Sequence, residues 1–339
     1  SHSNGTPIVY GPKGIDGLYS TSNEPGRAPP AREGADDAIG RHGASILLPL
    51  AVGLGTQYSL PAMAFETLTS GMTLPEFHVS APAPTEPHEN KIHEDDLARQ
   101  YGFKGGLVPG VTVYAWMTHP VVEALGAAWL ERGAFETRFA KPIYYEEPAV
   151  IRAKVAAKTA DSVTIEVAAH NSVGEVCGTA TMTLVTGANP SPPLASEYAV
   201  APVPAERPLV TRAHLERLKV LGTPELDLTA KAAADFITRF GETLSLYAGA
   251  GAPAHPGIHL DLANRALDRN VRMSPWIHVE SRGRHWSAAR VGDRLEMRGR
   301  VERLFEKKGH EFVEADLLLV ADGSRPVASI RHTAIYLLR

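Results

Sequence analysis

From residue 111 to about 125 the chain is apolar around nearly the whole circumference of a helical wheel, with Val113, Trp116, Met117, Val121 and Leu125 spread over every face. A helix with no polar stripe is one that protein surrounds. Downstream the hydrophobic period shortens towards two, and segments 134–139, 150–158 and 163–169 read as strands, Val163, Ile165 and Val167 alternating with polar neighbours. A hairpin turn at 171–174 leads into a last strand over 176–185. Ahead of the apolar helix come a short strand near 77–80 and an extended stretch held by Pro82, Pro84 and Pro87. A short helix over 95–101 follows, with Asp95 and Asp96 as acids in its first turn and Gly102 as its stop.

The same order then returns. Helices are expected over 212–220, 229–247 and 257–270, and strands over 276–281, 293–305, 311–321 and 327–338, with a turn at Asp322-Gly323. Gly110 and Gly257, each following a proline at a helix start, lie 147 positions apart, and the pairs Arg138/Arg284 and Val155/Val301 lie 146 apart. A spacing held across helix, turn and strand marks a duplicated unit, not a solenoid of short repeats. One buried helix followed by antiparallel strands, twice over, predicts an α+β fold in which a sheet wraps a helix in each half, the two halves together mimicking a homodimer.

This sets the expected division of the chain. Residues 1–70, rich in Gly, Pro and Ser at the start, read as an irregular extension; 71–187 form the first unit, the Pro-rich stretch 188–208 a linker, and 209–339 the second unit. The apolar run at 44–65 is too short and too interrupted by Pro49, Gln57 and Pro61 to span a membrane, so a docking segment is expected there instead. A net charge of −4 offers no basic stripe for phosphates, which argues against nucleic acid as a partner. The lone Cys177 excludes an intramolecular disulfide and fits a reducing, cytoplasmic setting. The 14 histidines show no zinc-binding spacing, so no metal is expected.

The stretch Asn90-Lys-Ile-His93-Glu-Asp95-Asp-Leu-Ala98, followed by Gly102-Phe103, Gly106-Leu-Val-Pro-Gly110 and Arg138-Phe-Ala-Lys-Pro142, resembles the MaoC-like hotdog family. The best-known members of that family are (R)-specific 2-enoyl-CoA hydratases, and its motif reads Asp-x-Asn-Pro-x-His-x-Asp-x-x-Ala. The match spans roughly 74–185, with a weaker echo over 209–339. The resemblance implies a tandem double hotdog, monomeric as a pseudo-dimer or else homodimeric, which needs no cofactor and acts on an acyl-CoA or acyl-carrier thioester in fatty acid metabolism. By carry-over His93 is the acid/base, the Gly110 amide faces the thioester oxygen, and Asn90 orients the loop. Where the family has its catalytic Asp, this chain has His88, so His88 or the adjacent Glu89 becomes the expected partner of His93. Val108, Pro109, Val111 and Tyr114 at one helix start, and His255 and Gly257 at the other, are the expected substrate-binding residues, a satisfied core role being the alternative for His255. In the second unit the counterpart of the Asn-x-x-His loop is read as the Ala-rich segment 230–236, which carries no dyad. The implied reaction is reversible hydration of a 2-enoyl thioester. Thioester hydrolysis and catalytically silent acyl binding are the alternatives.

Overall fold

Ten strands join edge to edge in a single antiparallel sheet: β1 (Phe77–Val79), β2 (Ala134–Phe139), β3 (Ala149–Lys158), β4 (Ser162–His170), β5 (Val176–Val185), β6 (Glu225–Asp227), β7 (Ile277–His285), β8 (Arg294–Lys307), β9 (His310–Ala321) and β10 (Arg325–Leu337). Their spatial order is β1-β3-β4-β5-β2-β7-β10-β9-β8-β6, so each half contributes five strands in the same internal sequence. The computed structural model describes residues 62–339; the expected irregular extension up to residue 61 and the docking segment begun at residue 44 lie outside the described residues.

The halves meet at the β2–β7 ladder, where Ala134 pairs with Arg284 and Arg138 with Glu280. Shifting the first of these pairs by 146 positions returns the second, so the ladder maps onto itself under the repeat visible in the sequence. That self-complementarity is the signature of an isologous interface, here built into one chain. Arg138 also donates to Glu280 across it, at 2.8 Å.

Two helices lie inside the curved sheet. The first central helix, Gly110–Leu125, is buried from Val111 to Val122 and packs on the second, Gly257–Asp268, as its circumferential apolarity predicts. Trp116 ties the first helix to the other half by donating from Nε1 to the Phe240 carbonyl at 2.9 Å. Strand β2 alternates buried and exposed positions, as a sheet with one wet face should. Strand β9 is buried at every position; Arg212 and Arg303 pair with its Glu311 and Glu314, and the Pro-rich linker meets its outer face at Asp316. There the Tyr198 hydroxyl donates to Asp316 at 3.2 Å and Arg298 donates to the Ala195 carbonyl at 3.1 Å. Cys177 is a buried free thiol on β5.

Two expectations change. The helix read over 229–247 stops at Phe240, because Gly241 takes a left-handed conformation (φ 62°) that ends it, and a separate 3₁₀ turn follows at Ser245–Tyr247. Gly126 (φ 59°) similarly ends the first central helix and leaves an extra helix at Ala127–Arg132. Among the described residues no helix is long and apolar enough to cross a membrane.

Candidate active site

His93 closes a 3₁₀ turn, Lys91–His93, whose Ile92 is buried and fixes the turn to the protein. Two contacts set the imidazole. Its Nδ1 lies 2.7 Å from the Leu107 carbonyl, which can only accept, so the ring proton sits on Nδ1 and Nε2 carries a lone pair. The Asn90 side-chain amide donates weakly to that Nε2 at 3.4 Å. Burial pushes the imidazole down to about 4; the Leu107 carbonyl opposes this and the neighbouring His88 adds to it. At neutral pH His93 is therefore an uncharged base.

Asn90 does more than orient a loop. Its Nδ2 donates to the Trp276 carbonyl at 2.9 Å and its Oδ1 accepts from the Trp276 amide at 3.2 Å, so it clips the turn to the second unit as a strand neighbour would. Asp95 lies in the first turn of its helix, as expected, but one carboxylate oxygen accepts from the Gly106 amide at 2.8 Å. This tethers the turn to the segment that leads into the first central helix. A methyl on Gly106 would overlap the His93 carbonyl, which explains a glycine there.

Gly110 opens the first central helix behind Pro109, and its amide finds no acceptor among the described residues. Such an end carries a partial positive charge and a free donor. It borders a cavity of about 60 Å³, lined by Asn90, His93, Gly110 and Phe139 from the first unit and by Asn264 and His278 from the second. His93 is also in the wall of a wider, open cleft of about 750 Å³ beside Lys91, Tyr144 and Tyr145. It therefore stands between the outside and the helix tip.

The other expected site residues divide. Val108 and Pro109 line the cavity. His88 is partly buried, with its ring centre 5.1 Å from that of His93 and its Nε2 3.0 Å from the Tyr145 hydroxyl, and burial holds its basicity below that of an ordinary imidazole. Glu89 is exposed, and its carboxylate is ion-paired with Arg207 of the linker. Val111 and Tyr114 point into the core, Tyr114 against Phe135, and neither borders the cavity. His278 and Asn264 were not legible as site residues, because only the docking of the two halves brings them to the Gly110 end.

The second unit's counterpart of the His93 turn is not the Ala-rich helix. It is the 3₁₀ turn Ser245–Tyr247: Glu242, Leu244 and Tyr247 repeat the spacing of His88, Asn90 and His93. The misreading arose because one unit reaches its turn through a Pro-rich loop and the other through a long helix. This second position is closed. His255 accepts from the Gly257 amide through Nδ1 at 3.0 Å, and its Nε2–H faces Glu242 at 3.3 Å. His119 lies 2.8 Å from the other Glu242 oxygen. Burial opposes ionisation of Glu242, but hydrogen bonds from His119, His255 and the Leu244 amide outweigh it and hold the carboxyl well below the usual range. Gly257 packs against Phe240 and Ala115, with no room for a ligand at its tip.

No family model matches the chain, and no curated protein matches it. Solved structures do. A candidate MaoC domain protein dehydratase from Chloroflexus aurantiacus superimposes with a TM-score of 0.60 at 13% identity, over 83% of this chain and 99% of that one. A conserved hypothetical protein from Mycobacterium tuberculosis with a double hotdog fold superimposes with a TM-score of 0.58 at 14% identity, over 80% of this chain and 97% of that one. The chain is thus a double hotdog protein with the fold of the MaoC-like hotdog proteins.

Proposed function

We propose that this protein catalyses the reversible hydration of a 2-enoyl thioester carried by CoA or an acyl-carrier protein, at the cavity between His93 and Gly110. The observation that carries this reading is the fixed tautomer of His93: with its proton committed to Leu107, Nε2 keeps a lone pair that only the long Asn90 contact touches, on a ring that lines the same cavity as the unused Gly110 amide.

The chemistry requires a base for water, a proton for Cα and relief of the charge that develops on the thioester oxygen. His93 Nε2 accepts a proton from water as the water oxygen bonds to Cβ. The π electrons move through Cα to the thioester oxygen, which the Gly110 amide stabilises. The same proton then passes from Nε2 to Cα, and the C=O bond re-forms. Water supplies both added groups, so the balance closes with one imidazole and no carboxylate. A neutral His88 beside His93 suits this, since a charged one would lower the basicity of Nε2 further.

The test is loss of the conjugated enoyl-thioester absorbance when purified protein meets crotonyl-CoA and longer or branched analogues. His93→Ala is expected to reduce turnover by about 10²- to 10⁴-fold. Undiminished turnover in that variant removes the assignment. Release of free thiol in place of a 3-hydroxyacyl product would make the protein a thioesterase, and binding without product would make it a silent acyl-binding protein.

A further inference from the structure

Facing Gly110 from the second unit is His278 on β7, 6% exposed, with no hydrogen-bond partner for its Nδ1. A methyl placed on Gly110 would lie 3.2 Å from that nitrogen, so Nδ1 and the free helix end share one corner of the cavity. The other ring nitrogen, Nε2, lies 2.8 Å from Ser281 Oγ, which in turn lies 2.9 Å from His332 Nδ1. The chain ends at His332 Nε2, which is buried and unpartnered.

This three-residue chain can be assigned proton by proton. Burial, with His332 adding to it and a backbone contact at Glu280 opposing it more weakly, disfavours a charged His278, and burial holds His332 down to about 3, so each ring carries a single proton. One end of this chain must carry an N–H that no protein group accepts; His332 is fully buried and borders no cavity, whereas His278 lines the cavity, where water or a ligand can accept, so His332 Nε2 is the lone pair and His332 Nδ1 carries the hydrogen. Nδ1–H donates to Ser281 Oγ. The Ser281 hydroxyl, having one proton of its own, donates to His278 Nε2. The remaining proton of His278 then belongs on Nδ1, directed at the cavity beside the Gly110 amide.

We infer that His278 is a second donor to the thioester oxygen, a neutral Nδ1–H supplied across the pseudo-dimer interface and held in that tautomer by Ser281 and His332. No proton is transferred in this role. The ring hydrogen-bonds to the oxygen as charge builds there and keeps its proton, which removes any need for a proton source behind His332. In this arrangement the first unit contributes the base and one amide, and the second contributes the other half of the oxyanion site. The closed half offers no such corner, because the Gly257 amide is already bound by His255. Ser281 is a positioning residue in this scheme and His278 a catalytic one.

The inference rests on the thioester reading, and two measurements separate their failures. Histidine side-chain ¹⁵N NMR on the intact wild-type protein reads the tautomer directly: a proton on Nδ1 of His278 is expected, and a proton on Nε2 overturns the inference whatever the activity. The second measurement is the ¹³C carbonyl shift of bound butyryl-CoA, labelled at the thioester carbon. A downfield shift on binding to wild type is expected, reduced in His278→Leu and partly retained in His278→Asn, which keeps an N–H donor. Removing one oxyanion donor should lower the turnover of crotonyl-CoA by about 10²- to 10³-fold, in kcat more than in KM. Ser281→Ala should lower kcat while KM stays near the wild-type value. Wild-type turnover with an unchanged carbonyl shift in His278→Leu overturns the role of His278 alone, whereas failure of the wild type to bind any thioester overturns both readings.

Discussion

At the scale of single residues, the site depends on which nitrogen of each imidazole holds a proton. For His93 the Leu107 carbonyl decides, and the consequence is measurable. An imidazole held at about 4 stays unprotonated far below the ordinary value near 6.5, so a base of this kind remains active in mild acid. The acidic limb of kcat/KM is expected to fall near pH 4; a limb near pH 6.5 would show that the reacting base is some other, better solvated group. Asn90 makes a second prediction at this scale. It holds the His93 turn against Trp276 by two bonds, so Asn90→Ala should cost about 1–3 kcal/mol of stability and lower kcat as the turn loosens. Thermal denaturation together with steady-state kinetics would check this, and a variant that melts lower but keeps full kcat would confine Asn90 to a structural role.

At the scale of elements, the His93 turn and the first central helix are joined by the segment from Asp95 to Gly110. Asp95 ties down Gly106, and Gly106 passes so close to the His93 carbonyl that no side chain fits. Gly106→Ala is therefore expected to push the 3₁₀ turn off the helix tip, costing about 1–3 kcal/mol by overpacking and most of the activity. An active, normally melting Gly106→Ala protein would show that the turn can shift without loss of the site. The helix start, the strand alternation and the hairpin turns were readable in advance because they depend on local period and on Gly and Pro chemistry. The break at Gly241 was missed for a definite reason. The apolar pattern continues past it, and a left-handed glycine ends a helix by backbone conformation without interrupting that pattern.

At the scale of the whole molecule, the concentration of buried histidines sets the response to acid. Burial pushes His93 and His285 down to about 4 and His332 to about 3, and it holds His259 and His278 well below the ordinary value. A group whose folded value is depressed binds a proton on unfolding at any pH between its two values. The unfolded chain therefore holds more protons there, and stability rises with pH through that window. The midpoint temperature should fall continuously as pH is lowered from about 6.5 towards 4. Below the ordinary carboxyl range, Glu242 adds to this: its depressed carboxyl stabilises the fold while ionised, and protonation removes that contribution. A melting temperature flat between pH 6.5 and 5 would mean that these rings have ready access to water in the folded state.

The amino-acid order alone determined the repeat, the two enclosed helices and the strand sets, because each rests on interactions between residues near in sequence or on a period that survives duplication; His93 and Gly110 were singled out by the resemblance to the MaoC-like motif. The same resemblance sets His88 at the position where that motif has a carboxylate. Only the tertiary structure decided what stands opposite those residues. His278, Ser281, His332 and Asn264 come to the Gly110 end through the β2–β7 junction, and in sequence His278 reads as one more polar residue near the start of a strand. Likewise, Glu89 pairs with Arg207 only because the fold lays the linker beside it, whereas the bond from the Gly257 amide to His255, two residues away, is a local one.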